Sequence, residues 1–144
     1  MTFGQLSKTY SFLSSRVQSK ISRKFIGINE RELEQFLKVL VLYAHNERLF
    51  SHRIYSEIPD TTLHKKLCIP KTGTQYTMGK KDLFSVIITF RYMLSKTDFI
   101  IFKRKLAKMI ERYIKKSQRI SEGTLLGLIG FPSNWKKITQ YKIG

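Results

Sequence analysis

The segment 29–49 constrains the fold more than any other part of this sequence. Asn29 is a suitable N-cap residue, and Glu32 follows it at the spacing of a capping box. Beyond this start the segment is apolar on nearly every side, and Lys38 is the only polar residue within 36–44. A helix that is apolar all round has to be buried among other elements. The sequence therefore predicts a bundle of helices with this segment at its centre.

Shorter helices are predicted around this centre. Apolar residues recur at helical spacing in 3–13, in 17–25 and again in 121–128. The length of 144 residues suits one domain, and no repeat or low-complexity tract divides the chain. We therefore expect a single helical domain that covers residues 1–144.

Two further stretches complete the predicted fold. The stretch 82–94 is strongly apolar, which predicts another helix, although its β-branched run 86–89 would also suit a buried strand. The stretch 51–81 has no periodicity and contains two prolines and two glycines, which predicts a long irregular connection with at most short local structure. The expected fold class is all-α, a helical bundle with an irregular connection around residues 51–81.

Charge is the second strong constraint. The 27 Lys and Arg residues against 10 Asp and Glu give a formal net charge of +17, which attracts polyanions and favours nucleic acid as a partner. A helix that begins near Ser95 has an apolar stripe of Phe99, Phe102, Leu106, Met109 and Tyr113. The candidate nucleic-acid-binding residues surround this stripe: Lys103, Arg104, Lys105, Lys108, Arg112, Lys115 and Lys116. Basic residues opposite an apolar stripe also occur on ordinary solvated helices, so the pattern leaves both interpretations open.

Aromatic residues could add base stacking to these phosphate contacts. Tyr76, Phe131 and Trp135 are the candidates, with core packing the expected role of Phe131 and Trp135.

Other classes of protein are not indicated. No segment has the roughly 20 apolar residues of a membrane span, and the N-terminus lacks the pattern of a signal peptide. The single cysteine, Cys68, excludes an intramolecular disulfide and a Cys-rich zinc site. We therefore expect a cytoplasmic protein with no membrane partner, no bound metal and no cofactor.

His45, Arg48 and His52 are the candidate catalytic residues. If the central helix continues past His45, spacings of three and seven residues place them on one face. An imidazole can take and return a proton near neutral pH, and a guanidinium can hold a phosphate, which together suffice for metal-independent RNA cleavage. A histidine near a helix end is also a common structural hydrogen-bonding residue, so the spacing allows both roles.

Six short stretches of the chain follow one another in the order of a known family: Thr2–Ser7, Ala44–Phe50, Ile58–Asp60, His64–Leu67, Gly79–Phe84 and Gly130–Trp135. Together they resemble the C-terminal half of the Abi-like abortive-infection family (the AbiD/AbiF type), which belongs to the HEPN superfamily. The resemblance implies an all-helical, commonly dimeric protein of bacterial defence against phage. It also implies RNA as the target, metal-independent endoribonuclease chemistry and an antitoxin as a candidate partner.

The resemblance carries over to the candidate catalytic residues only in part. His45 corresponds to the family's histidine and Arg48 to the arginine after it, but the arginine and asparagine before that histidine have no counterpart. The simplest alignment removes about four residues after Tyr43, which turns the helix by a net of about 40° and shortens it by about 6 Å. The resemblance thus implies an RNA-targeting domain with impaired cleavage. The alternatives are a non-catalytic basic RNA-binding module and an inert truncated relative.

Overall fold

The computed structural model describes residues 3–25, 27–44 and 57–143. Within these ranges the chain forms seven α-helices, one 3₁₀ helix (η1) and one two-stranded hairpin. In chain order they are α1 (Phe3–Phe12), α2 (Ser15–Ser22), α3 (Glu30–Ala44), α4 (Thr62–Lys66), β1 (Lys71–Thr72), β2 (Gln75–Tyr76), α5 (Leu83–Met93), α6 (Lys96–Ser117), α7 (Glu122–Ile129) and η1 (Trp135–Gln140). The predicted all-α class is confirmed. In the described part of the chain, none of the helices combines the length and the hydropathy that a bilayer crossing requires.

Helix α3 occupies the centre of the bundle, as its sequence predicts. The predicted capping box forms: the Asn29 N–H donates to Glu32 Oε2, and the Glu32 N–H donates to Asn29 Oδ1, each at 2.9 Å. Leu33 and Phe36 are buried, and the helix packs against α1, α2 and α5. Packing on three sides explains why the sequence is apolar nearly all round. The predicted continuation of this helix over 45–49 lies outside the described residues.

Helix α5 is the second buried element, and the helical interpretation of 82–94 is the correct one. Asp82 is its N-cap and accepts a hydrogen bond from the Ser85 N–H at 3.1 Å. The β-branched run lies within a helix whose faces are nearly all buried. The Thr89 hydroxyl in this run donates to the carbonyl of Ser85 at 2.8 Å, which satisfies its buried polar atom.

The connection between α3 and α5 is more regular than the sequence predicts. Its described part, 57–81, contains α4 and the β1–β2 hairpin, in which Lys71 pairs with Tyr76. Its order comes from buried side chains that occur at irregular intervals: Ile58, Leu63, His64, Leu67 and Ile69. Irregular spacing leaves no helical or strand periodicity in the sequence, so the pattern of residues could not predict this order.

Helix α6 lies on α5 and is also held by η1. Phe99 and Ile110 are its buried residues, and Ser95 caps its first turn by accepting from the Asp98 N–H at 3.1 Å. The predicted apolar stripe is wrong in its second half, since Met109 is 62% exposed and Tyr113 is 55% exposed. The buried face continues instead through Ile110 and the half-buried Ile114.

Candidate nucleic-acid interface

The side of α6 that faces away from α5 carries a row of basic residues. We call this row the basic face, and its six members are Arg104, Lys105, Lys108, Arg112, Lys115 and Lys116. All six side chains are exposed. At 100° per residue they occupy an arc of about 120°, and at 1.5 Å per residue they extend over about 18 Å. This length matches about five phosphates of one nucleic-acid strand in a duplex.

Local signals in the sequence explain why α6 presents this face. The first turn contains Asp98 and the last turn contains Lys115 and Lys116, so the charges at both ends complement the helix dipole. Gln118 ends the helix in the left-handed conformation, with φ of 47°. Burial of Phe99 and Ile110 against the bundle fixes the rotation of α6 and thereby directs the basic face to solvent.

The positive charge of the basic face is not neutralised by neighbouring acids. In the described part of the chain, none of the six basic residues takes part in a hydrogen bond or an ion pair. Glu111 is the nearest acid along α6, and its Oε1 lies 3.9 Å from Nζ of Lys136 on η1. Three acids outside α6 are paired with lysines near them: Glu34 with Lys38, Asp60 with Lys80 and Glu57 with Lys81. The positive charge of the basic face is therefore available to an external anion.

Lys103 differs from the other predicted nucleic-acid-binding residues. Its side chain is half-buried, and Nζ donates to the carbonyl of Lys136 at 2.9 Å and to the Thr139 hydroxyl at 2.6 Å. Burial, together with the positive charges of Arg104 and Lys136, lowers the pKa of Lys103. Lys103 thus fastens α6 to η1, while the remaining six predicted residues stay free at the surface.

The predicted catalytic residues His45, Arg48 and His52 lie outside the described residues. Among the described residues, His64 is the one histidine, and its environment gives it a structural role. Nδ1 accepts from the Thr61 N–H at 3.0 Å, and Nε2 donates to the carbonyl of Gly79 at 2.7 Å. These two bonds require the neutral ring with its proton on Nε2. Burial also lowers the pKa of His64 from its ordinary value, which favours the neutral ring.

A small cleft near the N-terminus of α3 is unsuited to a nucleic acid. Its volume is about 170 Å³, below the range of several hundred Å³ that is typical of small-molecule sites. Glu32 and Asp60 are among its lining residues, and their carboxylates would repel a phosphate. No group of three or more His, Cys, Asp or Glu side chains within the described ranges is arranged to hold a metal ion.

The aromatic residues occupy places that the sequence predicts only in part. Phe131 and Trp135 are buried in the core, as expected. Tyr76 stacks on the His64 ring with 4.9 Å between the ring centroids, so it is already packed. Tyr113, which the stripe assigned to the core, is the aromatic residue that lies next to the basic face. The sequence contains a signal for the exposure of Tyr113, because Ile110 and Ile114 offer a second apolar continuation at a four-residue spacing from Leu106.

No family model, no curated protein and no solved structure matches this chain.

Proposed function

We propose that this chain is an Abi-like RNA-targeting protein that holds the RNA backbone on the basic face of α6. The observation that carries the proposal is the row of six exposed cations along one side of a single helix, without acidic partners among the described residues. Phosphates would supply the missing counter-charges, and contact with them releases bound counterions, which drives association at low salt. The resemblance to the abortive-infection family supports RNA as the polyanion and phage defence as the setting.

Phosphate contacts of this kind determine affinity more than sequence preference. Four of the six cations are lysines, which bind phosphates as flexible point charges. The two arginines, Arg104 and Arg112, can add bidentate contacts to phosphate oxygens. We therefore expect binding of RNA of many sequences with similar affinity.

The proposed cleavage step would use residues elsewhere in the chain. His45 would take the proton of a ribose 2′-hydroxyl, Arg48 would hold the phosphate, and His52 would return a proton to the leaving oxygen. The missing arginine and asparagine of the family motif weaken this chemistry, because an arginine that is absent cannot stabilise the charge of the transition state. RNA binding through α6 does not depend on this step.

The test of the binding proposal is a comparison of two triple variants by fluorescence anisotropy with labelled RNA. The first variant, Lys105→Gln with Lys108→Gln and Arg112→Gln, removes the middle of the basic face. The matched control, Lys8→Gln with Arg16→Gln and Lys20→Gln, removes the same number of lysines and arginines from exposed positions of α1 and α2.

The two variants have clearly different expected affinities. Each phosphate contact contributes about 0.7 log units near 0.1 M salt, so the first variant should bind about 100-fold more weakly than the wild type. The control should stay within about threefold of the wild type if the basic face, rather than the net charge of the chain, binds RNA. Equal losses in both variants would show that net charge alone, and not the basic face, binds RNA.

Cleavage is tested separately by incubating the full chain with RNA and a chelator of divalent cations. Metal-independent cleavage that disappears in His45→Ala, with unchanged RNA affinity, would support a catalytic role of His45. Cleavage that continues at the same rate in that variant would remove His45 from the mechanism. Binding without any cleavage would leave the non-catalytic RNA-binding module.

A further inference from the structure

Two exposed apolar side chains lie beside the basic face, and the phosphate contacts do not account for them. Met109 is 62% exposed and Tyr113 is 55% exposed, and they are four residues apart on α6. Residues four apart lie on the same side of a helix, so the two form one apolar strip. Lys105 and Lys116 flank this strip at its two ends, and Arg112 directly precedes Tyr113. A ligand that follows the basic face would thus touch the strip as well.

An exposed strip that contains an aromatic ring favours single-stranded over double-stranded nucleic acid. In a duplex the flat faces of the bases are covered by their neighbours, so an exposed tyrosine gains little from contact with the outside of a double helix. In a single strand the base faces are accessible, and stacking on an aromatic ring stabilises binding whatever the base. A basic surface next to an exposed aromatic side chain is the combination that single-strand binding requires.

We infer that α6 binds a single-stranded segment of RNA, with a base stacked on the ring of Tyr113 and against Met109 while the basic face holds the flanking phosphates. This inference rests on the proposed function and specifies its substrate class. Tyr113 supplies stacking that depends on single-strandedness, and the six cations supply attraction that does not.

Other occupants of the strip fit the surroundings less well. A second copy of the chain would bring two basic faces together, and each copy carries a formal charge of +17. Two side chains also cover far less than the roughly 800 Å² per partner of a standard interface. An anionic lipid surface would match the charge, but Phe99 and Ile110, the fully apolar side of α6, are buried in the bundle and cannot insert.

The experiment compares the affinities of a single-stranded RNA of about 12 nucleotides and of the same sequence as a duplex. The variants are Tyr113→Ala, which removes the ring, and Tyr113→Phe, which retains it. Phe12→Ala is the matched control, because Phe12 is an aromatic side chain that is 87% exposed on α1, far from α6 in the sequence. Thermal unfolding of each variant confirms that it is folded.

Tyr113→Ala should bind the single strand about 5- to 150-fold more weakly and leave the affinity for the duplex unchanged. Tyr113→Phe and Phe12→Ala should each remain within about threefold of the wild type for both ligands. The variant Tyr113→Trp supplies a direct signal, because its fluorescence should fall when a base of the single strand stacks on the new indole ring. Trp135 is only 1% exposed and gives a constant background.

Four results would overturn the inference. Equal effects of Tyr113→Ala on the single strand and on the duplex, or no effect on either, would leave the proposed function in place and remove the stacking. Binding to phosphatidylserine vesicles that is tighter than binding to RNA and lost in Tyr113→Ala would assign the strip to a lipid surface. Failure of the wild type to bind either RNA at low salt would remove the inference and the proposed function together.

Discussion

The buried ring of His64 gives the sharpest prediction about stability. Its Nδ1 completes a capping box at α4 with Thr61, and its Nε2–H donates to the carbonyl of Gly79, so it joins α4 to the turn that precedes α5. The variant His64→Gln keeps a side chain that can cap at the third helical position. It loses the bond to Gly79 and the stacking on Tyr76, whose ring centroid lies 4.9 Å away.

The magnitude follows from the two lost interactions. An unpaired buried carbonyl costs about 1–3 kcal/mol, and a lost ring contact costs about 0.5–1.5 kcal/mol. We therefore expect His64→Gln to lower the free energy of unfolding by about 1.5–4.5 kcal/mol at neutral pH.

The same loss should shrink as the pH falls. Burial holds the pKa of His64 below its ordinary value of about 6.5, with Lys80 acting in the same direction and Asp60 opposing it. Below pH 6.5 the unfolded chain therefore binds a proton that the folded chain does not. The contribution of His64 to the free energy of unfolding is therefore complete above pH 6.5. It decreases as the pH falls below this value, by up to about 1.4 kcal/mol per pH unit.

The assay is urea unfolding of the wild type and of His64→Gln at several pH values between neutral and mildly acidic. Subtracting the two free energies cancels the titration of His45 and His52, which both proteins share. The difference should decrease steadily as the pH falls below 6.5. A difference that is independent of pH would refute the argument that His64 is neutral and buried in the folded chain.

Other predictions concern the turn before α5 and the start of α3. Gly79→Ala should destabilise by about 2–4 kcal/mol in urea unfolding, because Gly79 has a φ of +75° and an added Cβ would lie 2.8 Å from Ile88 Cδ1. Gly73→Ala is its control and should cost only about 1 kcal/mol, since the φ of +63° is similar but no atom lies within 4 Å; equal losses would contradict the steric argument. Asn29→Ala should cost about 0.5–2 kcal/mol by removing the cap of α3, whereas Asn29→Ser should retain most of the stability, and equal effects would exclude capping as the cause.

Helix positions could be predicted from the sequence where caps and periodicity agree. The starts of α3 and α6 are examples, because Asn29 and Ser95 each precede an acidic residue at the spacing of a capping box and apolar residues at helical spacing follow. The connection 57–81 could not be predicted, since its order depends on single side chains such as His64 that reach distant partners. Contacts of this kind have no local signature in a sequence.

The candidate interface could likewise be predicted from the sequence only in part. The charge pattern of α6 identifies its basic residues, but it does not reveal that Lys103 is hydrogen-bonded to η1 or that Tyr113 is exposed. Both facts depend on how α6 is rotated against α5. Two apolar continuations, through Met109 and Tyr113 or through Ile110 and Ile114, are compatible with helical spacing, and only packing against the bundle selects between them.

The salt dependence of RNA affinity tests the central claim most directly. If the basic face contacts three to five phosphates of a single strand, the logarithm of the association constant should fall with the logarithm of salt concentration at a slope of roughly −2 to −3.5. In the triple variant of Lys105, Lys108 and Arg112, that slope should become less steep by about 2, and in the α1–α2 control it should not change. Identical slopes in all three proteins would contradict the account, because RNA would then not be held by the cations of α6.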